Sequence, residues 1–146
     1  MIAAAPPPKP PPPIVIRDPA GDSGTAPDIT KVTVTTKRSG VITFVVVFKT
    51  PYGSNSSLYA YIGSQQYRLG PGGLEIWDDA SSAQDFEPLG SESGTFSVAP
   101  GGRALELSTT LAQLGNPKAF RFTVLSLDGD GGGGHMDTTS AATWRR

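Results

Sequence analysis

Apolar residues recur at every second position in one short stretch of this chain after another. Lys31-Val32-Thr33-Val34-Thr35-Thr36 sets Val32 and Val34 on one side and Thr33 and Thr35 on the other. Successive strand side chains point to opposite faces, so this period predicts a strand with one buried face. Ser39-Gly40 is a turn signal, and Val41 to Lys49 follows as a long β-branched and aromatic run. Phe44, Val46 and Phe48 share one face of that run, and Val45 and Val47 share the other. A strand apolar on both faces is expected to be central and covered on both sides. Together the two stretches predict a hairpin.

The alternation continues. Leu58, Ala60 and Ile62 point one way, with Tyr59 and Tyr61 opposite. Gln66 to Leu69 and Leu74 to Trp77 flank Gly70-Pro71-Gly72-Gly73, predicting a second hairpin. Thr95 to Val98 and Ala104 to Ser108 flank Pro100-Gly101-Gly102, predicting a third. Ile14 to Ile16 predicts a short first strand, Ala119 to Leu127 the last long one, and Ala141 to Arg146 a closing one. Thr110 to Gly115 predicts one helical turn, capped by Thr109 or Thr110 and ended by Gly115. No stretch keeps a 3.6-residue period. The fold class that follows is all-β: an antiparallel two-sheet β-sandwich of the jelly-roll or immunoglobulin-like kind.

Residues 6–13 read Pro-Pro-Pro-Lys-Pro-Pro-Pro-Pro. Such a run favours stiff polyproline II, so residues 1–13 are expected to be an extended or disordered Pro-rich leader and 14–146 the sandwich. Charged residues make up only 17% of the chain, and the net charge is −1. That balance offers no footprint for nucleic acid or an anionic membrane. There is no cysteine, so disulfides, thiolate zinc sites and cysteine nucleophiles are excluded. No run of 18 or more apolar residues is present, so no membrane insertion is expected. Met1-Ile2-Ala3-Ala4-Ala5 running into proline reads like the tail of a secretory leader without its charged start. The expected setting is therefore secreted or cell-surface.

Candidate chemistry is sparse. The single histidine, His135, sits among four glycines and Met136, which hold no base rigidly for a catalytic triad. Neighbouring His and Met rarely reach one iron from opposite faces, so no haem is expected. Glu75, Asp78 and Asp79 cannot flank one glycosidic bond, because adjacent strand carboxylates point apart. No catalytic residues follow, and the chain is expected not to be an enzyme. Asp18, Asp22 and Asp28 precede the first long strand, and Asp128, Asp130 and Asp137 lie in the final loop. Oxygen ligands on loops suit calcium, although aspartates there also make Asx-turns, and Asp128-Gly129-Asp130-Gly131 does not complete an EF-hand. Tyr59, Tyr61, Tyr67 and Trp77 lie on neighbouring predicted strands, where exposed rings stack on sugars; the alternatives are a second core face or an interface.

In order, these pieces resemble bacterial domains of the DOMON-like superfamily, relatives of the family 9 carbohydrate-binding modules. The resemblance runs from Asp18-Pro19-Ala20-Gly21-Asp22 and Ala26-Pro27-Asp28-Ile29-Thr30-Lys31 through Leu58–Ile62, Gly63-Ser64-Gln65-Gln66-Tyr67 and Leu74–Trp77. It continues through Leu114-Gly115 and Phe120-Arg121-Phe122-Thr123-Val124 to Asp137 and Trp144. It implies a secreted two-sheet sandwich, structural calcium at the Asp18, Asp22 and Asp28 lead-in, and sugar binding through aromatic residues. The chain lacks the Asp-x-Asp loop that such domains carry before the Gly-x-x-Tyr strand. Ile62 runs straight into Gly63, which removes cation ligands and part of a binding rim and lets Tyr61 and Tyr67 approach across a tight hairpin.

The function expected is a non-catalytic binding module for a polysaccharide or cell-surface glycan, with calcium as its stabilising cation. The alternative is a structural subunit of a surface layer or extracellular filament, a homo-oligomer joined through edge strands.

Overall fold

A computed structural model describes residues 10–19, 26–53, 56–63, 66–78, 85–90, 93–128 and 136–146. They form β1 (Ile14–Arg17), β2 (Ile29–Thr36), β3 (Val41–Phe48), β4 (Ser56–Ile62), β5 (Tyr67–Gly70) and β6 (Gly73–Asp78). Then come β7 (Asp85–Pro88), β8 (Thr95–Val98), β9 (Ala104–Thr110), β10 (Ala119–Asp128), β11 (Met136–Thr138) and β12 (Ala142–Arg145). One sheet has the order β1-β2-β3-β9-β8; the other runs β11-β10-β4-β5-β6-β7, with β12 also on β10. Every pairing is antiparallel. The two sheets pack face to face, so the all-β sandwich read from the alternation is the fold.

The inward positions explain the packing. Val32, Val34, Ile42, Phe44, Val46, Leu105 and Leu107 project from the first sheet, and Leu58, Ala60, Ile62, Leu69, Leu74, Phe122 and Val124 meet them from the second. Each is buried, and burying a Val, Leu, Ile or Phe side chain stabilises the fold by roughly 1.5–3 kcal/mol. Phe44 and Phe122 join the layers edge to face, with centroids 5.4 Å apart. Polar ties cross the sandwich at both ends. Trp144 Nε1 donates to Thr36 Oγ1 at 2.9 Å at one end, and the Ile29 amide donates to Asp137 Oδ2 at 2.8 Å at the other. Both ties come from the closing segment, which runs along the edge of β10 as β11 and then β12.

The helical turn is also present. Gln113 N donates to Thr110 Oγ1, and Gly115 takes a φ of +82°. Three expectations change. No third layer among the described residues covers the outer side of β3: Val41, Val45 and Val47 are half-buried, shielded by cross-strand neighbours such as Thr33 and Glu106. Two strands were not anticipated. β7, Asp-Phe-Glu-Pro, has one large apolar residue and forms because β6 offers it a partner edge. β11, Met-Asp-Thr, is held by pairing to Leu125, Ser126 and Leu127.

Candidate functional site

The register of the second sheet decides which side chains share its outer face. Thr123 pairs with Tyr61, Tyr61 with Arg68, and Arg68 with Glu75. All four therefore project outward in one row. Two residues along, Leu125 pairs with Tyr59. Two residues the other way, Trp77 pairs with Phe86. The outer face thus carries Tyr59, Tyr61, Trp77 and Phe86 around a central Arg68–Glu75 pair.

Each ring has a physical reason for its position. Gly70 lies beside Tyr59, and a Cβ built on Gly70 would come within 2.5 Å of Tyr59 Cδ1. The absent side chain is what lets the Tyr59 ring lie down on the β5 backbone. Arg68 donates from Nε and Nη2 to the two oxygens of Glu75, at 3.0 and 2.9 Å. This two-pronged geometry fixes the plane of the guanidinium. Arg68 Cζ then stands 4.5 Å from the ring centres of both Tyr59 and Phe86, a cation–π sandwich. Burial by itself lowers the pKa of Arg68, but hydrogen bonding and charge from Glu75, with Tyr61 and Tyr59, outweigh it and hold the group above its ordinary value. The cation is permanent.

The rings form a connected chain. Tyr59 and Tyr61 are 6.3 Å apart, Tyr61 and Phe86 6.1 Å, and Phe86 and Trp77 5.1 Å edge to face. Tyr61 and Phe86 belong to strands three apart, at roughly 4.8 Å per step, so their side chains converge over Arg68. Trp77 is 41% exposed. The face offers ring surfaces for stacking, with the fixed Arg68–Glu75 ion pair beside them.

Of the four aromatic residues singled out from sequence, Tyr59, Tyr61 and Trp77 share this face. Tyr67 does not. It pairs with Ile62 and Ile76, so it points inward and packs against the core at the sandwich end. Its expected approach to Tyr61 fails because Tyr61 pairs with Arg68 instead. Phe86, Arg68 and Glu75 were not anticipated. The last two had a signal: they lie at mirrored positions about the Pro71-Gly72 turn, with opposite charge.

The aspartates are placed differently. The Asp18 amide donates to the Thr30 carbonyl, and the Asp28 amide to Thr50 Oγ1. Asp28 and Asp137 are buried, and Asp137 serves the Ile29 amide. Among the described residues, no three His, Cys, Asp or Glu side chains converge in a way that would hold a metal. Asp22, Asp130 and His135 lie outside the described residues. Likewise, no helix among the described residues is long and apolar enough to cross a membrane.

No protein-family model matches the chain, and neither curated proteins nor solved structures yield a match.

Proposed function

We propose that the protein is a non-catalytic, secreted or cell-surface module that binds carbohydrate on the outer face of its second sheet. The observation that carries this reading is the half-open Trp77 ring, braced by Phe86 at 5.1 Å and flanked by the fixed Arg68–Glu75 pair. A sugar ring has an apolar C–H side and a rim of hydroxyls. An exposed indole takes the first, and charged groups already held in place take the second without a further ordering cost. The order of motifs shared with DOMON-like domains points the same way.

Retention of the full chain on immobilised polysaccharides tests this. Binding to at least one glycan should fall about tenfold or more in Trp77→Ala, with the melting temperature little changed. No retention on any neutral or acidic polysaccharide would remove the proposal.

A second reading, self-assembly, is favoured by the first sheet's edges. Val15 on β1 and Val98 on β8 are 51% and 41% exposed on outermost strands. Such edges are templates for pairing with another chain. Sedimentation across a wide concentration range separates the two: growing oligomers indifferent to sugars favour assembly.

A further inference from the structure

The net charge of −1 conceals a strong asymmetry. Six of the twelve lysines and arginines, Lys37, Arg38, Lys118, Arg121, Arg145 and Arg146, are exposed at one corner of the sandwich. The register shows why they gather. The β2–β3 turn and the approach to β10 end there, and β12 runs back to the same place. Arg121 pairs with Thr143 while Arg145 pairs with Ala119, so the two arginines are diagonal neighbours on the outer face. Such diagonals lie about 7–8 Å apart, close enough for both to grip one ligand.

These arginines rim a cleft of about 470 Å³. Its apolar lining includes Leu114, Pro117 and Phe120, and Tyr67 and Gln66 stand in its wall. Here the inward turn of Tyr67 acquires a use, since its ring faces a cavity instead of the open sheet. On the other side of β12 a second cleft, about 420 Å³, is lined by Lys37, Arg38 and Arg146 with Trp144. Among the described residues, no Asp or Glu lines either cleft. Cations gathered this closely repel one another, and an arriving anion relieves that repulsion.

The corner is also continuous with the aromatic face. Thr123 pairs with Tyr61, so Arg121, two residues earlier on β10, is a diagonal neighbour of Tyr61 on the outer side. We propose that the carbohydrate is acidic, and that Arg121 and Arg145 take its carboxylate or sulfate groups at the mouth of the Tyr67 cleft. The planar guanidinium matches such oxygens two at a time, which lysine cannot do. This rests on the carbohydrate reading but uses a separate set of residues, so each can fail alone.

Affinity electrophoresis of the full chain decides it, in gels holding a polyuronate, a sulfated glycan or a neutral glucan, with single-stranded DNA as a fourth arm. The expected result is retardation by an acidic glycan about tenfold stronger than by the neutral one, weakening as salt screens the charges. Arg121→Gln with Arg145→Gln should remove that preference, while Lys49→Gln at the opposite end leaves it intact. All three residues are exposed, and an unchanged circular dichroism spectrum verifies the fold. Equal retardation by neutral and acidic glycans, a double variant that binds like the parent, or DNA bound as tightly as the glycans would each overturn the inference. Loss of binding in Trp77→Ala with the arginine variants unaffected would sink it while leaving the aromatic site standing. Loss in the arginine variants with Trp77→Ala unaffected would support the acidic cleft and remove the aromatic face.

Discussion

The two outer faces of this sandwich are built by the same rule and equipped differently. On the first sheet the outward positions of β2, β3 and β9 hold no aromatic ring: they are mostly small or β-branched, as at Thr33, Thr35, Val41, Thr43, Val45, Val47 and Ser108, with Lys31 and Glu106 as the long charged exceptions. On the second they hold Tyr59, Tyr61, Trp77 and Phe86 around Arg68 and Glu75. Both faces alternate with buried neighbours of the same chemical kind, so the fold treats them alike. A β-branched surface satisfies strand propensity and little more. A surface of large rings, bedded on a glycine and pinned by an ion pair, exceeds what propensity requires. The difference lies wholly in the outward half of the alternation, where substitution leaves the core untouched.

The largest expected effect tests that separation directly. Phe122 points inward against Phe44, and its neighbour Thr123 points outward. Phe122→Ala should cost about 3–5 kcal/mol of stability, by loss of buried area and creation of a cavity. Thr123→Ala should stay within about 0.5 kcal/mol. Urea unfolding of both variants measures the contrast, and similar costs would mean that inward and outward positions are not independent.

A smaller effect is expected where the aromatic face meets the backbone. In Gly70→Ala the new Cβ would sit 2.5–2.6 Å from the Tyr59 ring, with a carbonyl oxygen of Leu58 at 3.2 Å. The ring must lift, so the variant should lose about 1–3 kcal/mol. It should also lose glycan affinity although Gly70 has no side chain to offer a ligand. Affinity kept intact would show that the seat of Tyr59 does not matter to binding.

Below that stands the Arg68 fork. Arg68→Lys keeps the charge but removes the two-pronged contact with Glu75 and the flat stacking between Tyr59 and Phe86. The expected loss of stability is about 0.5–1.5 kcal/mol, with a weaker grip on glycan. Unchanged unfolding and unchanged binding would mean that the pair is ornamental.

The same contrast explains how much was legible in the sequence. Period-two alternation located β1 to β6, β8 to β10 and β12, because burial of one face repeats along each strand. It also set Tyr59 and Tyr61 opposite Leu58, Ala60 and Ile62. Tyr67 was misplaced because its side depends on the register of β5 against β4, and a one-residue change of register exchanges the faces. Phe86 was invisible for a different reason. Its strand has no alternation of its own, and it is a strand only because β6 lies next to it. The basic corner was hidden by averaging: a whole-chain charge carries no information about which residues the topology brings together.

The smallest expected effect concerns a tyrosine on neither face. Tyr52 follows β3 and packs between Phe48 and Phe96, with ring centres at 5.9 and 6.1 Å. Burial first, and then Tyr59, raise its pKa above the ordinary tyrosine value. A raised folded-state pKa means that the native protein holds this proton more tightly than the unfolded chain. The resulting stability is fully present below about pH 10, where both states keep the proton. It is lost as pH rises from there through the native value, because the unfolded chain ionises first. Tyr52→Phe removes the titrating group while keeping the ring, so its unfolding free energy should fall less steeply above pH 10 than the parent's. Parallel curves for the two proteins would place Tyr52 with the solvent-facing tyrosines and erase the distinction between ring positions that pack and ring positions that present.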